Sequence, residues 1–99
     1  MGLRVIITPT ALADLESIVR FIALDSPARA KRFGYQLIEA ALSLGAFPEM
    51  GCVSVECSNP NIREIVHGNY RLIYEIKSAP SSIYLLRFWH AARGVPPEA

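Results

Sequence analysis

Ile62-Arg63-Glu64-Ile65-Val66-His67-Gly68-Asn69-Tyr70-Arg71-Leu72-Ile73-Tyr74-Glu75-Ile76-Lys77 is the stretch that decides the fold. Two runs rich in β-branched and aromatic residues flank Gly68-Asn69, a two-residue loop of the kind that closes a β-hairpin. That loop sets His67 opposite Tyr70, Ile65 opposite Leu72 and Arg63 opposite Tyr74. Successive strand side chains alternate between faces, so the other face carries Ile62, Glu64, Val66, Arg71, Ile73 and Glu75. The first set is the more apolar and aromatic and is expected to meet the core. The second mixes Arg71 with two carboxylates and is expected to be the outer, working face, provided no bulge shifts the register.

Outward from the hairpin, Ser78-Ala79-Pro80-Ser81 reads as a turn, and Ser82 to Trp89 as the most hydrophobic strand, expected to be central in the sheet. Residues 91–99 read as a flexible tail. On the N-terminal side, Cys52 to Cys57 reads as a strand and Ser58-Asn59-Pro60-Asn61 as a turn. Further back the period changes. Leu3 to Ile7 is a short β-branched strand, and Thr8-Pro9 is a helix start, a capping hydroxyl followed by proline at the first helical position. Leu12, Leu15, Ile18, Val19 and Ile22 then recur at helical spacing to about Leu24, with Asp14 and Glu16 near the positive end of the helix dipole. Ser26-Pro27 repeats the start signal. The second helix presents Ala30, Phe33, Leu37, Ala40, Ala41 and Leu44 before Gly45, a natural stop, and Pro48. The order β-α-α-β-β-β predicts an α+β fold, a helical hairpin packed on a small, mostly antiparallel sheet.

Composition narrows the function classes. Ninety-nine residues make one domain, spanning 1–99. The apolar fraction of 52% and the charged fraction of 19% exclude a disordered chain. They also suggest more apolar surface than one small core hides, so a protein partner is expected. A net charge of +1 is far from that of a general nucleic-acid binder, and no strong nucleic-acid binding by the chain alone is expected. No secretory signal, myristoylation motif or membrane span is read, which points to the cytoplasm. Cys52 and Cys57 on a strand point to opposite faces about 16 Å apart, too far for a disulfide, and their spacing does not suit zinc. No metal and no cofactor are expected.

With Arg63-Glu64-Ile65 followed by Tyr70-Arg71-Leu72-Ile73-Tyr74-Glu75-Ile76, the chain resembles the ParE/RelE superfamily of bacterial toxins. The resemblance extends to Thr8-Pro9-x-Ala11-x-x-Asp14-Leu15-x-x-Ile18, to Pro48-x-x-Gly51, and to Leu86-Arg87-Phe88-Trp89-His90-Ala91-Ala92-Arg93. It covers residues 3 to 93 and implies the toxin half of a type II toxin–antitoxin pair. The implied partner is a cognate antitoxin, ParD-like or similar, that wraps the toxin. RelE-like members cleave mRNA in the ribosomal A site, whereas ParE-like members inhibit DNA gyrase and stabilise its cleaved-DNA state.

RNA cleavage by a 2′-hydroxyl needs a base, an acid for the leaving oxygen and cations for the developing charge. The resemblance places Arg71 at the arginine position of RelE-like enzymes, with His90 as a possible acid or base. The alternate strand positions that hold lysines in those enzymes are Ile62 and Glu64 here, and a carboxylate there repels phosphate. The expectation is therefore a gyrase-binding toxin, with Arg71, Arg87, Trp89, His90 and Arg93 as the target-binding residues. The ribosome-dependent mRNA endonuclease, with Arg71 and His90 as chemical groups, is the alternative. For Arg71 the plain structural reading is an ion pair with Glu64 or Glu75, and for Arg87 a strand-edge charge. Grooves along the two amphipathic helices suit a partner helix, with Leu12, Leu15, Phe33 and Leu37 as the antitoxin-binding candidates.

Overall fold

The computed structural model describes residues 2–53, 59–78 and 81–94. The strand Arg4–Ile7 (β1) leads into the helix Pro9–Ala23 (α1). Thr8 does two jobs at that junction. Its hydroxyl accepts the Ala11 N–H at 3.2 Å, capping the helix, and donates to the Leu85 carbonyl at 2.8 Å, tying the helix start to the sheet. Ser26 likewise accepts the Arg29 N–H at 3.2 Å to begin the helix Pro27–Ser43 (α2). No acidic residue occupies the first turn of α1, so Asp14 and Glu16 lie beyond the dipole positions expected of them.

Among the described residues the second half forms four strands: Cys52–Val53 (β2), Ile62–His67 (β3), Tyr70–Ser78 (β4) and Ser81–His90 (β5). They join β1 in one sheet of order β1-β5-β4-β3-β2, antiparallel except for the parallel β1–β5 pair. The described elements run β-α-α-β-β-β-β, one strand more than the order β-α-α-β-β-β, because the strand read from Cys52 onward is present as the two residues of β2. The remainder of the predicted Cys52–Cys57 strand, including Cys57, lies outside the described residues. Ser82–Trp89 is an interior strand, as its hydrophobicity demands, but β4 is the one in the middle. Ala91–Arg93 form a short 3₁₀ turn where a tail is predicted; residues 95–99 lie outside the description.

The β3–β4 register is the one predicted, His67 opposite Tyr70 through Arg63 opposite Tyr74. Gly68 has φ +61° and is the only loop residue of the turn with positive φ, the pattern of a II′ turn. The helix-facing side of β4, Tyr70, Leu72, Tyr74 and Ile76, packs with Leu15, Ile18, Leu37, Leu44, Ile83 and Leu85 into the main core. Full burial of such side chains contributes roughly 1.5–3 kcal/mol each. It is this apolar contact, not helix propensity, that holds the helical hairpin on the sheet.

Gly45 ends α2 for a reason other than a left-handed backbone. A Cβ there would lie 2.5 Å from the Leu3 carbonyl oxygen, because the Leu3 N–H donates to the Gly45 carbonyl at 2.7 Å. The glycine lets the chain after α2 pass directly under the start of β1.

Candidate functional site

β5 carries an irregularity. Ile73 pairs with Arg87 while Tyr74 pairs with Leu85, leaving Leu86 as the additional residue of a bulge. Before the bulge Ile83 and Leu85 face the helices; after it Phe88 does. Arg87 and Trp89 are turned to the outer face. There Trp89, Ile62 and Ile73 make a second buried cluster, with Leu86 packed against it. The outer face is therefore not the open working surface expected from the hairpin. It has a closed apolar centre, with Ile73 fully buried.

Charged groups border that centre. Arg71 and Glu64 form a two-pronged pair, with Nε donating to Oε2 at 3.0 Å and Nη2 donating to Oε1. Both side chains are largely buried, at 14% and 21% exposure. The paired geometry is the strong form of an arginine–carboxylate contact. Glu75, the other carboxylate of this face, accepts instead from Asn59 Nδ2 at 3.2 Å.

The C-terminal candidates divide. Arg87 is buried and held by Asp14 of α1, at 2.7 Å from Nε to Oδ2 and 2.9 Å from Nη2 to Oδ1. It lies where β1 no longer covers β5, but it is buried and paired there rather than projecting from the edge as a free charge. Trp89 is buried as well; its ring lies beneath the Arg87 guanidinium at 4.7 Å and the Arg93 guanidinium at 4.2 Å, and its Nε1–H donates to the Gly94 carbonyl at 2.9 Å. Arg93 is the exposed member of this stack. His90 Nδ1 accepts the Ala92 N–H at 3.1 Å, capping the 3₁₀ turn, and its ring meets Tyr70 edge-on at 5.0 Å.

Those contacts place Arg71 and His90 on opposite faces of the sheet. Arg71 lies with Glu64 on the outer face, whereas His90 lies with Tyr70, which in turn touches Phe33 of α2 at 5.6 Å. The structure brings Arg71 beside Trp89 through the β4–β5 pairing and separates it from His90.

The antitoxin-binding candidates also divide. Leu15 and Leu37 are core residues, at 6% and 0% exposure, because the helix periodicity that marked them is the periodicity of burial. Leu12 is 48% exposed, and Phe33 is half-buried. Phe33 belongs to a groove of about 500 Å³ between the end of α1, the first turns of α2 and the β3–β4 turn. Phe21, Phe33, Tyr70 and His90 give it an aromatic lining, beside which stand Arg29 and Arg32. Burial raises the Tyr70 phenol pKa above its usual value. Sequence reading missed Phe21, which is 73% exposed and stands off the apolar face of α1. The isolated large aromatic on the polar side was the available signal.

Among the described residues, no group of His, Cys, Asp or Glu side chains is gathered as a metal ion requires, and no helix is long and apolar enough to cross a membrane.

The family model described as ParE toxin of the type II toxin–antitoxin system, parDE, matches residues 5–95. Toxin RelE2 of Caulobacter vibrioides is 35% identical over 91 residues, covering 91% of this chain and 97% of that protein. Two solved structures share the fold. A chain of the chromosomal ParDE toxin–antitoxin system from P. aeruginosa matches with a TM-score of 0.73 at 20% identity, covering 90% of this chain and 96% of its own. A chain of the toxin–antitoxin complex RelBE2 from Mycobacterium tuberculosis matches with a TM-score of 0.68 at 23% identity, covering 91% and 99%.

Proposed function

This chain belongs to the ParE toxin family of type II toxin–antitoxin systems, and from that premise we propose that it acts by binding DNA gyrase rather than by cutting RNA, and that a cognate antitoxin neutralises it. The observation that carries the reading is the separation of Arg71 and His90 across the sheet. A cleavage site needs its acid or base and its phosphate-binding cation within hydrogen-bond reach of one scissile bond. Two groups on opposite faces of a sheet cannot meet that demand. Arg71 is in addition engaged by Glu64 on two prongs, so a phosphate would have to displace a carboxylate that is already desolvated. The site supports recognition better than chemistry.

The reading that competes with it, cleavage of ribosome-bound message, is favoured by the relationship to toxin RelE2. Purified protein separates the two. Loss of supercoiling with linear DNA accumulating from gyrase is the expected result, with ribosome-bound message left intact. Message cleavage that Arg71→Ala abolishes, while antitoxin binding survives, would falsify the gyrase reading.

A further inference from the structure

The first turn of α2 is charged against the helix's own field. Arg29 is the third residue of Pro27–Ser43, no acidic residue occupies that turn, and Lys31 and Arg32 follow in the next one. Cations at a helix N-terminus are disfavoured by the positive end of the dipole, where carboxylates would stabilise. A local rule broken in this way points to a use outside the isolated fold. Arg29 is only partly compensated, by an exposed pair with Asp25 at 3.2 Å. Among the described residues no carboxylate lies within ion-pair distance of Arg32. Arg29 and Arg32, three residues apart, rim one side of the 500 Å³ groove, and no carboxylate lines it. The lining beside them is aromatic.

We infer that this groove takes an acidic, amphipathic segment of the antitoxin, setting carboxylates against Arg29 and Arg32 and an aliphatic side chain against the aromatic lining of Phe21, Phe33, Tyr70 and His90. The inference rests on the antitoxin reading above and adds the place and chemistry of recognition. Two cations, one of them shared with Asp25, are too few to track a nucleic-acid backbone, and the apolar lining demands an apolar partner surface. Carboxylates brought to the start of α2 also satisfy the helix dipole, so binding stabilises the element that receives it.

The test titrates purified chain with the purified product of the adjoining reading frame, by calorimetry, in low and high salt. For the wild type, affinity falls as salt rises. In Arg29→Gln/Arg32→Gln, affinity drops by on the order of 100-fold and loses most of its salt dependence, while the melting temperature of the toxin alone holds or rises. Phe21→Ala lowers affinity about equally at both salt concentrations. Undiminished binding by the double glutamine variant overturns the groove assignment and leaves the antitoxin reading standing. No binding by the wild type overturns both. The inference also fails if the variant's main defect is loss of self-association in gel filtration, or loss of oligonucleotide binding, since the occupant is then a second copy or a nucleic acid.

Discussion

Asp14 and Arg87, 73 residues apart in sequence, close the exposed shoulder of β5 with one carboxylate. β1 pairs with β5 only from Ser82 to Leu85. Beyond that point Asp14 Oδ2 accepts the Phe88 N–H at 3.2 Å as well as the Arg87 Nε–H, so a helix side chain stands where the neighbouring strand has ended. The carboxylate and guanidinium are 13% and 11% exposed. Removing one partner from a buried pair costs about 3–5 kcal/mol, a large part of the ~5–15 kcal/mol that holds a small domain together. Asp14→Ala is therefore expected to be largely unfolded or poorly soluble, and Asp14→Asn, which keeps one acceptor, to be intermediate. Urea denaturation followed by circular dichroism measures this, and equal midpoints for Asp14→Ala and wild type would refute it.

Tyr74 spans the core to hold the loop after α2. Its hydroxyl accepts the Gly51 N–H at 3.0 Å and donates to the Pro48 carbonyl at 2.8 Å. Tyr74→Phe strands both backbone groups and is expected to cost about 1–3 kcal/mol. Burial above all, helped by the nearby Cys52 and Glu49, raises the phenol pKa above its ordinary value of 10.0 against the Gly51 hydrogen bond and the Arg63 charge, which lower it. The folded state thus favours the protonated phenol. Its contribution is fully present below the unfolded value and is lost as pH rises through the folded one. Stability should hold to about pH 10 and then decline, and Tyr74→Phe should blunt that decline. An alkaline denaturation series on the two proteins checks the sign.

Gly45→Ala forces a Cβ onto the Leu3 carbonyl at a distance no real contact adopts. The obstacle is backbone on both sides, so relief requires β1 to shift from β5. A loss of about 1–3 kcal/mol is expected, with hydrogen exchange quickening first at β1 amides. Wild-type protection at Val5 and Ile7 in that variant would show the contact to be soft.

What the sequence disclosed follows from how local each signal is. The Gly68-Asn69 turn, the two Ser/Thr-Pro helix starts and the helix-facing set Tyr70, Leu72 and Tyr74 depend on residues within a few positions of one another, and each stands in the structure as read. The bulge at Leu86 was not legible, because it belongs to a pairing between strands and leaves no turn residue behind. Neither was the Asp14–Arg87 pair, whose partners are joined only by the fold. Leu15 and Leu37, expected at a partner's surface, are buried in this chain's own core, because helical periodicity marks a buried face without saying what buries it. Arg29 and Arg32 carry no signal of their own in the sequence, and only their place beside Phe21 and Phe33 in the groove gives them a site.

Arg93 offers the sharpest separation of function from stability. Its guanidinium stacks on Trp89 at 4.2 Å while remaining exposed, so it is a positioned, solvent-facing cation. An exposed cation–π contact contributes only about 0.5–1 kcal/mol to the fold, a shift of a few degrees in melting temperature. If the C-terminal segment is the surface that meets gyrase, Arg93→Ala should weaken inhibition of supercoiling about tenfold or more, the equivalent of ~1.4 kcal/mol of contact. Emission from Trp89, the single tryptophan, should stay close to wild type, because the ring keeps its Gly94 hydrogen bond and its place over Ile73. Arg93→Lys should fall between, since an ammonium keeps the charge but not the flat stacking surface. Full inhibition by Arg93→Ala with unchanged Trp89 emission would move the target surface away from the C-terminus and leave Arg93 as packing over an indole.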